Sequence, residues 1–487
     1  MANLLSSEKS IRRLAILTLV YLIPSFQAML PVDDPDIWWH LRAGQWILQQ
    51  GSVPTEDPFS AYGSGKPWIA YSWLFEVLVY ALYDQWGLMA LLLLAVLMSL
   101  LIALVVHLLI RRGELPFLPE MTVLALALAS MKPMISPRPW LFSILFFAAE
   151  LLVLFEARRT GRVAGLLILP PLFVLWANLH IQFVYGLAAL GLFFFEAVVD
   201  WRLRKQAELG SSDLPVGRVF MIAMACVCAT LVNPYHYHLL SPIWEYSVNT
   251  GAFQNIQELH PLFFRSPADW FVLALVLGAA YTLGWQRGLL VFPTLLLIMG
   301  SFLGFRARRD AWILALASAT ILSQYRSVPL LSDPFRIAKM QSVAVAVTIT
   351  LALYLIGQHR QLSQHDLEMA VEKKFPVKAV SFVKAGRYPG PIYNSLDWGG
   401  YLIWGLPGLP VSMDGRTNLH GDQRLARSIA TWSGHAGWES DPELAQAKLV
   451  IASQTRPLAS LLRRDSRFKL VYEDATALVF ASNNAAP

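Results

Sequence analysis

LMALLLLAVLMSLLIALVVHLLI, residues 88–110, carries only Ser99 and His107 as polar side chains in an otherwise unbroken apolar run, and Arg111–Arg112 ends it. A bilayer core about 30 Å thick takes about 20 mainly apolar residues in helical form. The helix is required because lipid offers no partners to backbone amides. Comparable runs recur on both sides. Candidate spans lie at 13–31, 88–110, 120–135, 140–157, 163–180, 182–200, 218–233, 269–285, 289–304, 310–325 and 341–357. The expected fold is therefore an α-helical polytopic membrane protein of about 11 spans. The chain of 487 residues is 56% hydrophobic and 15% charged, well under the roughly 25% charged of a soluble protein.

Charge is unevenly placed. Residues 358–487 have a soluble balance, so the expected division is a membrane domain, 1–357, and a small C-terminal α/β domain, 358–487. The net charge of +6 is accounted for by short basic cytoplasmic loops, and nucleic-acid binding is not needed to explain it. No small-residue cleavage site follows the first apolar stretch, which reads as an uncleaved span with Arg12 and Arg13 inside. Cys226 and Cys228, two apart in an apolar helix, point in different directions and read as packing residues.

Arg111–Arg112, Arg158–Arg159–Arg162 and Arg202–Arg204–Lys205 fit cytoplasmic loops in a protein whose N-terminus is inside. Counting crossings then puts 32–87, 132–139, 178–182, 234–268 and the C-terminal domain outside. The segment 71–86 carries Glu76 and Asp84 and is short, so it reads as a juxtamembrane or partly inserted helix; a full crossing there would flip everything downstream. FRARRD, with Arg306, Arg308 and Arg309, falls outside on this count and breaks the positive-inside rule. Either the topology differs there or a function holds these arginines outside, and a phosphate ligand would be such a reason, since arginine pairs well with phosphate oxygens.

In the tail, PGPIYN, LPVSMDGR, AKLVIASQ, FKLVYED and ALVFAS read as strands, and 421–433 and 457–464 as helices. A hairpin turn is expected at Glu473–Asp474–Ala475. Gly399–Gly400 signals a tight backbone approach and Asp414–Gly415 a turn. Asp397, Asp414 and Arg416 read as structural.

The chemistry-bearing residues gather in a few loops. The first expected outer loop opens DDPDIWWHLRAGQWILQQG, with Asp33, Asp34 and Asp36 ahead of a short helix. Asp36 is placed for a helix N-cap, and Trp38, Trp39 and Trp46 suit a membrane interface. Three carboxylates at such a boundary are costly to hold together unless a cation, a substrate or catalysis uses them. Arg138 stands between the prolines of SPRPW, where a headgroup anchor and a functional charge are both open. WANLHIQF sets Asn178, His180 and Gln182 at the turn between two spans, as a polar hairpin closure or a substrate contact. The long loop NPYHYHLLSPIWEYSVNTGAFQNIQELHPLFFRSP brings Glu258 and His260, with no strong zinc spacing.

An acidic motif after the first span, a juxtamembrane helix and then Gly65–Lys66–Pro67–Trp68 resemble the GT-C superfamily of integral-membrane glycosyltransferases. More narrowly, DPDIWWHLRAGQWI, SPRPW, WANLH and NSLDWGGYLIW…MDGR resemble a group of uncharacterised bacterial membrane proteins placed near those enzymes. The resemblance implies an enzyme using a polyprenyl-phosphate-linked sugar, with membrane lipid around it. A glycan, lipid or protein hydroxyl would be the acceptor. Asp36, then Asp34, match the family's first-loop acid, a general base or metal ligand, with His180 assisting. Arg138, Arg306, Arg308 and Arg309 would hold the donor phosphate, and His40, Asn178, Glu258 and His260 would contact substrate. A divalent metal bound by Asp34, Asp36 and Glu258 stays open. The implied location is the bacterial inner membrane, with the C-terminal domain extracytoplasmic. A transporter or lipid flippase is the alternative, which would place charges deep within spans and break two helices. A non-catalytic component of an envelope-polysaccharide assembly complex is the other.

Overall fold

The computed structural model describes residues 2–206, 214–248, 256–286, 288, 290–324 and 339–483. Part of the long loop expected at 234–268, residues 249–255, lies outside the described residues. The chain divides into two compact units. One comprises Met1–Leu30, Leu92–His236 and Glu258–Gln361; the other comprises Pro31–Leu91, Tyr237–Gln257 and Leu362–Pro487. Residues 31–91 and 237–257 thus group with the tail.

Each expected span falls on a helix: Ala2–Ala28, Trp73–Arg111, Phe117–Ser130, Trp140–Thr160, Leu169–Leu179, Phe183–Gln206, Val216–Ala229, Pro267–Trp285, Val291–Arg306, Ala311–Gln324 and Lys339–His359. Among the described residues six helices are long and apolar enough to cross a bilayer, and Phe117–Ser130, Ala164–Leu179, Val216–Ala229 and Val291–Arg306 are shorter. The expected count of about 11 full crossings is thus not reached by length. Phe117–Ser130 has 14 residues, and at 1.5 Å per residue such a helix rises about 21 Å.

In the first unit, Ala311–Gln324 is buried around nearly its whole circumference. A helix apolar on every side belongs inside a bundle, and its small residues admit close neighbours. Gly300 and Gly304 meet it where an added Cβ would lie 3.2 Å from Leu314 Cα and 2.9 Å from Leu314 Cβ. Lys339–His359 instead exposes Val343, Val347, Leu351 and Tyr354, a face suited to lipid. Buried polar groups pair between helices, as burial demands. Tyr21 Oη lies 2.9 Å from His107 Nδ1, and His107 Nε2 lies 3.0 Å from Glu120 Oε1. Arg158 holds Glu196 with two bonds of 2.8 and 3.0 Å. Glu150 departs from this pattern. It is wholly buried in mid-helix, and neither carboxyl oxygen has a hydrogen-bond partner among the described residues.

Residues 73–86 are helical, as expected, and run into 88–111 through a break at Gly87, whose φ of 61° and ψ of −148° suit only glycine. Gln364 seals the break: its Oε1 accepts from the Met89 N–H at 3.1 Å.

The second unit is built on a four-stranded sheet in the order β1-β2-β4-β3, formed by Ile392–Asn394, Leu449–Ser453, Phe468–Glu473 and Ala477–Ser482 in sequence order. β1 runs parallel to β2, and the other pairs are antiparallel. The hairpin turn sits at Asp474–Thr476, where the Asp474 carboxylate accepts from the Thr476 and Ala477 amides at 2.8 and 2.7 Å. LPVSMDGR forms no strand of its own. Only Val411 bridges, to Ile392 on one side and to Ser60 of the first loop on the other, so the loop extends the sheet at that edge.

The tryptophans correct an expectation. Trp38 and Trp39 are 2% and 5% exposed, not spread along a membrane interface. Trp38 packs edge-on against Tyr401 and Phe375, with ring centres at 5.0 and 5.6 Å. The helix Leu396–Gly405 presses on the loop helix Ile37–Gln50 at Gly400, where an added Cβ would lie 2.5 Å from Pro35 O.

Candidate functional site

Four of the sequence-predicted segments converge within the first unit. The SPRPW loop aims the Arg138 guanidinium over the Trp140 ring at 4.6 Å, with Nη1 3.4 Å from both Glu258 oxygens. The residues after Glu258 reach FRARRD, where the Arg308 N–H donates to His260 O at 2.9 Å. Asp310, at the end of that turn, accepts from Gln182 Nε2 and from the Tyr185 hydroxyl, both at 3.0 Å. Asp310 closes the same turn as Arg308 and Arg309.

His180 caps the helix Leu169–Leu179 and is buried. Its Nδ1 lies 2.8 Å from Ser143 Oγ, and that oxygen accepts from Trp176 Nε1 at 2.8 Å. The Ser143 hydroxyl thus links the His180 imidazole to the Trp176 indole. Asn178 Nδ2 donates to Val174 O and Val232 O at 2.7 and 2.8 Å, which is the polar hairpin closure.

The acidic loop belongs to the second unit. Asp36 precedes the helix Ile37–Gln50 but makes no side-chain capping bond, so its expected structural job as an N-cap is absent. Asp34, buried, accepts from the Asp36 N–H at 2.9 Å through Oδ1. Asp33 is exposed and paired with Lys374 at 3.2 Å. His40 Nδ1 lies 3.3 Å from Glu76 Oε1 and its ring stacks near Trp39.

Beside Asp36 lies the MDGR turn. The Asp36 carboxylate rests directly on Gly415, where an added Cβ would lie 1.8 Å from Oδ1. Arg416 grips Asp414 with Nε and Nη2 at 2.8 and 2.7 Å and Asp57 with Nη1 at 2.6 Å, under the rings of Phe59 and Trp68. His420 Nε2 faces Asp414 Oδ2 at 3.3 Å. Arg424 donates to His420 Nδ1 at 2.6 Å and to both Glu443 oxygens. Burial alone would raise the Asp414 carboxyl; Arg416 and His420 outweigh it and hold it well below the usual carboxylate range.

Sequence reasoning passed over Ser143, Tyr185, Asp310 and Asp57. Asp310 was legible as an acid closing a run of arginines, and Asp57 as an acid followed by Pro-Phe-Ser in the same loop. The partners of both are far off in sequence. No group of three or more His, Cys, Asp or Glu side chains suited to a metal ion gathers among the described residues.

No protein-family model and no curated protein sequence matches this chain. Solved structures do. The crystal structure of the Archaeoglobus fulgidus oligosaccharyltransferase, tethered by a disulfide to an acceptor peptide containing the NVT sequon, superposes with a TM-score of 0.50 at 13% identity. The match covers 91% of this chain and 69% of that one. The apo form of the same enzyme gives 0.49 at 13% identity, with the same coverage. The chain shares the fold of that oligosaccharyltransferase. At 13% identity the likeness establishes architecture, and the chemistry has to be argued from the residues.

Proposed function

We propose that this protein is a membrane glycosyltransferase. It moves a sugar from a polyprenyl-phosphate-linked donor to a hydroxyl of a glycan, lipid or protein on the outer face of the bacterial inner membrane. The observation that carries the reading is the convergence in one unit of Arg138, Glu258, His260, His180, Asp310 and the Arg306–Arg309 turn, on a fold shared with an oligosaccharyltransferase. A lipid phosphate leaving group gains negative charge, and fixed guanidinium groups stabilise it. A carboxylate takes the proton of the attacking hydroxyl. Asp36 is assigned that role, with Asp34 orienting it through the Asp36 N–H. The transporter alternative draws on the mid-helix Glu150 and the break at Gly87.

Native mass spectrometry of protein purified in mild detergent separates the readings. Wild type retains an isoprenoid phosphate, and a variant with Arg306, Arg308 and Arg309 replaced loses it while keeping ordinary phospholipid. Absence of isoprenoid phosphate from wild type, under conditions that keep phospholipid, would move the assignment to the transporter. Asp36→Asn then keeps the bound donor and abolishes turnover.

A further inference from the structure

The first-loop acid and the tail are read in the sequence as parts of different domains, yet the tail supplies the surface on which the acid rests. Gly415 lacks a positive φ, so an alanine there strains no backbone. An alanine there would have to displace the Asp36 carboxylate, whose Oδ1 lies 1.8 Å from the position of the added Cβ. The turn bearing Gly415 is fixed on both sides. Asp414 and Arg416 are locked to each other and to Asp57. The helix Leu396–Gly405 closes on the turn through Gly399, where a Cβ would lie 1.9 Å from Met413 O. Its next residue, Gly400, meets Pro35 O, one residue before Asp36. Of these close approaches, the one at Gly415 meets the carboxylate itself, and those at Gly399 and Gly400 hold the backbone on either side of it.

We infer that Gly415, with the Asp414–Arg416–Asp57 ring behind it, is a positioning residue for the Asp36 carboxylate, so that the C-terminal segment completes the candidate acid rather than standing apart from it. The catalytic use of that carboxylate rests on the glycosyltransferase reading; its placement does not. A stability cycle tests the placement without any activity assay. Gly415→Ala should lower the melting temperature of the full-length protein when Asp36 is present. In an Asp36→Ala background the carboxylate is gone, and the same change should cost little. Equal losses in both backgrounds would overturn the inference, and the double variant keeps the test readable if Gly415→Ala alone fails to fold. A second readout follows carbodiimide labelling of carboxyls by mass spectrometry. Asp36 should label severalfold faster in Gly415→Ala than in wild type, with Asp33, whose side chain is 80% exposed, unchanged. An unaltered Asp36 rate in a folded variant would also overturn it. If the cycle holds while Asp36→Asn retains turnover, the placement stands and the base assignment falls. If both hold, Gly415→Ala lowers kcat with donor KM unchanged.

Discussion

At the scale of single residues, the second unit depends on charges that have no water to fall back on. Asp414 and Arg416 are fully buried and bonded face to face. Removing one member of such a pair strands the other, at a cost of about 3–5 kcal/mol. Asp414→Asn should therefore lower the stability of this unit by about 3 kcal/mol, measured as denaturant unfolding in detergent. A loss under about 1 kcal/mol would mean that Asp57 alone satisfies Arg416. The same pair sets a pH response. The folded Asp414 carboxyl is held well below its ordinary value of 3.8, so its contribution is complete above that value and fades only as pH falls through the depressed one. Hydrogen exchange of the peptide 412–420 should stay as slow at pH 4 as at pH 7, once corrected for the intrinsic rate. Loss of protection already at pH 4 to 5 would contradict the depressed value.

At the scale of elements, the break at Gly87 interrupts one long helix a few residues before Leu92, where the chain passes from the tail's unit to the bundle. Alanine cannot adopt φ 61° with ψ −148° without a cost of about 1–3 kcal/mol, and its Cβ would meet Gln364 Nε2 at 2.6 Å. Gly87→Ala should lower the melting temperature, and Gln364→Ala should do so less, since it removes one bond to the Met89 amide. Equal stability of Gly87→Ala and wild type would mean the chain straightens at no cost. This element also shows what was legible. The apolar run 88–110 and the separateness of 71–86 follow from composition and charge, and both appear. The number of crossings is harder to read, because hydropathy reports only that a segment avoids water, and Ala311–Gln324 avoids it among other helices. Strand residues of the tail were readable from their β-branched runs. Val411 was not, because its partners lie in the first loop and in β1. In the candidate site, arginines and acids near span ends were visible as misplaced charges. Ser143 and Tyr185 were invisible, since a serine and a tyrosine in an apolar helix look like ordinary packing until their partners His180 and Asp310 are known.

At the scale of the whole molecule, the membrane loop and the tail make one folding unit from three stretches of chain. Trp38 is nearly inaccessible because Phe375 and Tyr401 cover it, and Trp39 because Leu396–Gly405 packs across it at Gly400. A tail that folded as an independent appendage could be removed and leave the loop as it was. A tail that supplies the other half of a core cannot. Burying an aromatic side chain contributes about 1.5–3 kcal/mol through the hydrophobic effect. Truncation after Gln361 should therefore expose both tryptophans and unbond Asp57 from Arg416, while the helices of the first unit keep their own contacts. The expected result is a protein that still inserts and keeps its helical circular dichroism, yet shows red-shifted tryptophan emission, rapid proteolysis within residues 31–72 and no retained turnover. Wild-type emission and a protease-resistant loop in the truncated protein would show that the first loop folds without the tail.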